Sequence, residues 1–108
     1  MKKSEIIIEV GLDDNNVPET LHWSAKDGGV ERQETKAAIL SVWDLDNKEA
    51  LRIDLWTKEM PMDDMKIFFH QMFASMASTY ERATSEKDVA QKIRLFAEEF
   101  AVASGIRD

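Results

Sequence analysis

The sequence predicts an α+β fold, a four-stranded antiparallel sheet followed by two helices packed on one of its faces, in the order ββββαα. Three observations predict it. Apolar residues alternate at period two through much of residues 1–60 and recur at helical spacing through residues 61–108. All three Trp (Trp23, Trp43, Trp56) lie in the first stretch and all five Phe (Phe68, Phe69, Phe73, Phe96, Phe100) in the second. The turn Asp46-Asn47-Lys48 is short enough to return the last two strands as an antiparallel hairpin. Each stretch shows an apolar face that needs the other, so residues 1–108 read as a single domain, with 1–60 the sheet and 61–108 the helical pair.

The first strand spans about Ser4–Leu12, where Ile6, Ile8, Val10 and Leu12 alternate with Glu5, Ile7, Glu9 and Gly11. Asp13-Asp14-Asn15-Asn16 is a turn of side chains that bond their own backbone. The second strand is about Pro18–Ser24, with Leu21 and Trp23 on one face; Pro18 cannot donate to a ladder and belongs at its start or on an edge. Ala25–Thr35 is a longer connection with a tight turn at Asp27-Gly28-Gly29, after which Val30–Thr35 forms either a helical turn or a continuing strand. The third strand, about Lys36–Asp44, holds the apolar run Ala37-Ala38-Ile39-Leu40-Ser41-Val42-Trp43, suited to a strand covered on both faces. The fourth, about Glu49–Thr57, places Leu51, Ile53 and Leu55 on one face and Arg52, Asp54 and Trp56 on the other.

The first helix is expected to start at an Asp63 N-cap, with Asp64 favouring the helix dipole. Met65, Phe68, Phe69, Met72, Phe73, Met76 and Tyr80 form its apolar stripe. The second is expected to start at Ser85 with Asp88 in a capping-box position, to bury Val89, Ile93, Phe96, Ala97 and Phe100, and to stop at Gly105. In this reading Leu51, Ile53 and Leu55 pack against Phe68, Phe69, Met72, Phe96 and Phe100 in one core.

Composition excludes several functions. The 108 residues carry 14 Lys+Arg against 21 Asp+Glu, a net charge of −7, and no cysteine. There is therefore no disulfide framework, thiolate metal site or cysteine nucleophile. The acidic balance argues against nucleic-acid or anionic-membrane binding, which need Lys/Arg patches. No stretch approaches the roughly 18 apolar residues of a membrane span. The early run Ile6-Ile7-Ile8 is too short for a signal-peptide core, and no common lipidation motif is present, so a cytoplasmic location is expected.

Chemistry-bearing residues are sparse. His22 and His70 lack ligand spacing, and no GxSxG, Walker or GxGxxG loop occurs. No catalytic residue, cofactor site or metal site is expected; an enzyme, were this one, would draw on His22, Asp54 or Lys26. Trp23, Ser24, Lys26 and Asp27 read either as a binding loop or as a turn whose Asp and Gly satisfy backbone geometry. The five methionines from Met60 to Met76 read as core or as an adaptable peptide-binding surface. More informative is the sheet face turned away from the helices. It carries Asp54 and Trp56, Ile7 from the first strand, and, depending on register, Ile39 and Trp43 or Leu40 and Val42. Two helices cannot cover both faces, so Ile7, Ile39, Trp43, Asp54 and Trp56 are the expected partner-binding residues, and a homo-oligomer is expected from the same arithmetic.

Several longer strings carry a family resemblance. Met1-Lys2-Lys3-Ser4-Glu5-Ile6, Trp23-Ser24-Ala25-Lys26-Asp27-Gly28-Gly29-Val30-Glu31, Leu40-Ser41-Val42-Trp43-Asp44, Leu51-Arg52-Ile53-Asp54-Leu55-Trp56-Thr57-Lys58-Glu59-Met60-Pro61, Phe68-Phe69-His70-Gln71 and Tyr80-Glu81-Arg82-Ala83-Thr84 resemble the gliding motility protein GldC family of Bacteroidetes. The likeness runs over about residues 1–104. It implies a small accessory protein of the gliding apparatus that works through protein partners. It implies no enzymatic activity and no cofactor. A looser analogy, resting on element order and acidic charge, is to the SecB export chaperone, which would make the chain a holdase for exported polypeptides.

Overall fold

The computed structural model describes residues 1–108. It divides into two compact units, Met1–Met60 and Pro61–Asp108. The first holds five strands, β1 (Ile7–Leu12), β2 (Pro18–Ala25), β3 (Val30–Thr35), β4 (Ala37–Asp44) and β5 (Glu49–Trp56). The second holds α1 (Met62–Thr84) and α2 (Lys87–Ala103).

The class is α+β with antiparallel strands, but the single four-stranded sheet is corrected. β1, β2 and β3 form one three-stranded sheet in that order, and β4 and β5 form a separate two-stranded ribbon. Of the two alternatives left open for Val30–Thr35, the strand is the one that forms, as β3, and the tight turn before it is a 3-10 turn at Lys26–Gly28. Gly29, at φ 80°, makes the left-handed exit from that turn. β3 then pairs with the free edge of β2, Leu21 with Thr35 and His22 with Glu34. With that edge filled, β4 and β5 pair only with one another.

The β1–β2 turn forms as its composition dictates. Asp13 Oδ1 accepts the Asn15 and Val17 N–H groups at 2.8 and 3.0 Å, and Asn16 takes a left-handed φ of 63°. These two bonds to Asp13, with a further one from Lys58, hold its carboxyl below the usual carboxylate range. Gly11 stands opposite Thr20 at a register shift; a Cβ there would collide with the Thr20 hydroxyl. In the β4–β5 turn Asp44 accepts from the Asn47 side chain at 3.0 Å and from the Asp46 N–H at 3.1 Å. The Asn47 bonds above all depress the Asp44 pKa.

Within the helical unit, both expected starts shift. α1 begins at Met62 after an extended Pro61, which has no N–H to satisfy, and Asp63 and Asp64 fall in the first turn rather than at the cap. Ser85 cannot cap α2, because its left-handed φ of 61° closes α1, with its N–H donating to Glu81 O at 2.8 Å. Gly105, φ 85°, lies just past the end of α2 as expected. The pair is antiparallel: Phe73 meets Phe96 and Phe100 edge-on at centroid distances of 5.2 and 5.1 Å. Arg94 bridges Glu81 at 3.0 Å.

The buried face of α2 keeps the expected Ala97, with Ile93 and Phe100 half-buried, but is rotated slightly elsewhere. Ala90, Ala97 and Ala101 are buried, as is Ala77 on α1, whereas Phe96 is 48% exposed and Val89 also faces solvent. The spacing of 90, 97 and 101 is helical, so the shift moves the apolar face by about one residue, toward small side chains that let helices approach closely. Met62 and Met76 are likewise exposed. Leu51 and Ile53 are 50% and 55% exposed, and Leu21 is the one large side chain that is fully buried.

Candidate interaction surface

The unbroken register of β4 with β5 sorts their side chains onto two faces. One carries the pairs Ala37/Trp56, Ile39/Asp54, Ser41/Arg52 and Trp43/Ala50; the other carries Ala38/Leu55, Leu40/Ile53, Val42/Leu51 and Asp44/Glu49. The open register question is thereby answered: Ile39 and Trp43 share the face of Asp54 and Trp56. Ile7 does not belong to it. It lies on β1, opposite Ser24 in the three-stranded sheet, where it is 44% exposed.

The tryptophan face has a definite layout. Each Trp stands across from an alanine, which leaves room for the indole to lie over the neighbouring strand. The two indoles sit at opposite ends of the ribbon, six residues of strand apart, or about 20 Å. Both are exposed. Between them Arg52 Nε bonds the Asp54 carboxylate at 3.0 Å, so the centre of the face is polar and neutral. A Trp presents about 150–250 Å², so the two more-than-half-exposed indoles offer roughly 200–300 Å² of apolar surface. The opposite face offers aliphatic groups over most of the ribbon, with Leu40, Val42, Leu51 and Ile53 all exposed, and ends in the acidic pair Asp44/Glu49 at the turn. Tryptophan and arginine dominate the energetics of protein interfaces, and the first face holds both.

The suggested binding loop is divided between roles. Trp23 and Ser24 lie in β2 and point to opposite faces; Lys26 and Asp27 lie in the 3-10 turn and are exposed. The buried Ser24 hydroxyl accepts the Arg32 N–H at 3.0 Å, across the irregular pairing where Arg32 adopts a φ of 38°. His22 sits in register between Glu9 and Glu34, but Arg32 takes the Glu9 carboxylate at 2.9 Å and Lys36 that of Glu34 at 3.5 Å. No group of three or more His, Asp or Glu side chains converges on one point. His70 lies on α1 with Nε2 buried and unpartnered. A cleft of about 150 Å³ is lined by Asp13, Pro18, Glu19, Lys58 and Glu59 and contains none of the expected site residues. Its two ion pairs, Lys58–Asp13 at 3.3 Å and the neighbouring Lys36–Glu59 at 3.0 Å, tie the end of β5 to the rest of the sheet unit. Sequence reasoning missed the aliphatic face as an exposed surface, since an apolar strand face reads as core.

Comparison with known proteins gives one match. A family model described as gliding motility-associated protein GldC-like covers residues 18–105. No curated protein matches, and no solved structure does. The matched range includes the whole of β4 and β5 and both helices. No helix is long and apolar enough to cross a membrane.

Proposed function

Because the chain belongs to the GldC-like family of gliding motility-associated proteins, we propose that it is a non-enzymatic adaptor of the gliding machinery. It acts in the cytoplasm and docks a protein partner on the face of Ile39, Trp43, Asp54 and Trp56. The observation that carries this reading is the pair of exposed tryptophans flanking a neutral Arg52–Asp54 centre. Burying half of each indole against a partner contributes several kcal/mol, at about 25 cal/mol per Å². The opposing costs of association leave a specific but reversible contact.

A second reading is favoured by one feature of its own. The aliphatic face, with Leu40, Val42, Leu51 and Ile53 exposed, is the kind of surface that holds unfolded polypeptide. On that reading the chain is a holdase for exported proteins. Complementation of a gliding bacterium lacking its own copy of the protein separates these from an enzyme. A Trp43→Ala/Trp56→Ala double variant that stays folded by circular dichroism should fail to restore spreading. His22→Ala and Lys26→Ala should restore it fully. Loss of spreading in the His22 or Lys26 variant, with normal spreading in the tryptophan variant, would refute the adaptor. Loss of spreading confined to a Leu40→Ser/Ile53→Ser variant would move the function to the aliphatic face.

A further inference from the structure

β5 hydrogen-bonds to β4 alone, so one of its edges presents free backbone groups. A two-stranded ribbon is marginal in water, and a stable sheet needs three or more strands. The outer edges of the three-stranded sheet carry devices that discourage strand addition. β1 has the shift at Gly11/Leu12, and β3 is charged along its length, with Arg32 left-handed. β5 differs: its register is unbroken, it contains no Pro or Lys, its burial pattern reads exposed at every position but Leu55, and its two central charges, Arg52 and Asp54, are of opposite sign and placed symmetrically about Ile53.

We infer that two copies of this chain pair antiparallel along β5, about a two-fold axis at Ile53. The segment Ala50-Leu51-Arg52-Ile53-Asp54-Leu55-Trp56 is self-complementary about that residue. Pairing sets Arg52 against Asp54 of the second copy, Leu51 against its Leu55, and Ala50 against its Trp56. The backbone phase agrees. The Thr57 N–H donates inward to Lys36 O at 2.9 Å. Inward and outward groups alternate along a strand, so Leu51, Ile53 and Leu55 also bond toward β4. The outward groups are then those of Ala50, Arg52, Asp54 and Trp56, and in this register they meet only one another. An axis at Arg52 or at Asp54 would instead oppose like charges.

The free edge of β4 offers a rival axis at Leu40, but its flanking charges are engaged. Lys36 is held by Glu59 and Glu34, and Asp44 by the turn N–H groups and Asn47. Arg52 and Asp54 form ion pairs only with each other. In the paired state four charges alternate around the axis. The product is a four-stranded sheet, β4–β5–β5–β4, in which the two tryptophan faces become one surface with four indoles. This stands on the strand register and does not depend on what docks there.

The chain has no cysteine, so Ile53→Cys introduces a single thiol on an exposed side chain. Across the axis the two Cα atoms form a non-hydrogen-bonded pair about 4.5 Å apart, within disulfide range. Under mild oxidation the Ile53→Cys protein should form covalent dimer at least about tenfold faster than Leu40→Cys. Arg52→Asp and Asp54→Arg each oppose like charges twice across a two-fold axis, so each alone should weaken dimerisation in sedimentation by about tenfold or more. An equimolar mixture of the two should restore a heterodimer near wild-type affinity, because every Asp then faces an Arg. Circular dichroism checks that both variants fold, and the wild-type and cysteine measurements do not rely on them. A wild-type chain that is monomeric at tens of micromolar overturns the inference. So does faster cross-linking of Leu40→Cys, or a mixture that stays monomeric. None of these results would alter the spreading phenotype of the tryptophan variant.

Discussion

Ala97→Leu and Phe96→Ala, adjacent on α2, should cost about the same stability although their side chains differ greatly in size. Ala97 is 2% exposed, one turn before the buried Ala101 and beside the Phe73–Phe96–Phe100 cluster. Leucine adds three carbons where the helices leave no room. Overpacking of this kind costs about 1–3 kcal/mol, and leucine's helix propensity, close to alanine's, does not offset it. Truncating a fully buried phenylalanine costs about 3–5 kcal/mol. Phe96 is 48% exposed, so roughly half of that is at stake, about 1.5–2.5 kcal/mol including its edge contact with Phe73. Urea titration followed at 222 nm measures both. With a slope of about 2 kcal/mol/M, Ala97→Leu should lower the midpoint by about 1 M, and Phe96→Ala by a similar amount. An Ala97→Leu variant within about 0.5 kcal/mol of wild type would show that Ala97 lies outside the close-packed seam. A Phe96→Ala loss above about 4 kcal/mol would make Phe96 core and refute the rotated helix face.

Other perturbations test the sheet unit. Ser24→Ala should cost about 1–3 kcal/mol in the same titration, because the Arg32 N–H loses its acceptor at a largely buried site. Gly11→Ala should cost about 1 kcal/mol or more and broaden the Thr20 resonances, since the new Cβ displaces the Thr20 hydroxyl. Acid should open the two turns. Asp13 and Asp44 have depressed folded-state pKa values, so their contribution is present above the ordinary carboxylate range and is lost as pH falls through the folded values. Amide exchange at Val17 and Asn47, corrected for intrinsic rate, should rise below about pH 4, and Asp13→Asn should remove the Val17 response.

The sequence made the strand-rich and helix-rich halves legible because their periodicities are strong, and β4, β5 and α1 were placed to within a residue or two. β3 stays open in the sequence, as strand or helical turn, because Glu31, Arg32, Gln33 and Glu34 carry no apolar alternation; what makes them a strand is the β2 edge, a tertiary fact. Without that strand in the count the sequence reads as one four-stranded sheet, where the structure has a three-stranded sheet and a two-stranded ribbon. The α2 face is legible at Ile93, Ala97 and Phe100 but not at Ala90 and Ala101, and Val89 and Phe96 are exposed, because large side chains weigh most in a periodicity argument while the close approach of two helices selects small ones. Ile39, Trp43, Asp54 and Trp56 could be named as a group from alternation, but their common face depended on a register that sequence left open by one residue. Ile7 was grouped with them only because one continuous sheet was assumed.

Site-specific photo-cross-linking in gliding cells addresses the adaptor reading most directly. A photoreactive residue is placed in turn at positions 43 and 56 on the tryptophan face, at 40 and 53 on the aliphatic face, and at 27 in the 3-10 turn. The account predicts one discrete heavier adduct from 43 and 56 that contains a second protein species, and none from 27. A smear of many adducts from 40 and 53, with nothing discrete from 43 or 56, would contradict it and favour a holdase; silence at every position would contradict both.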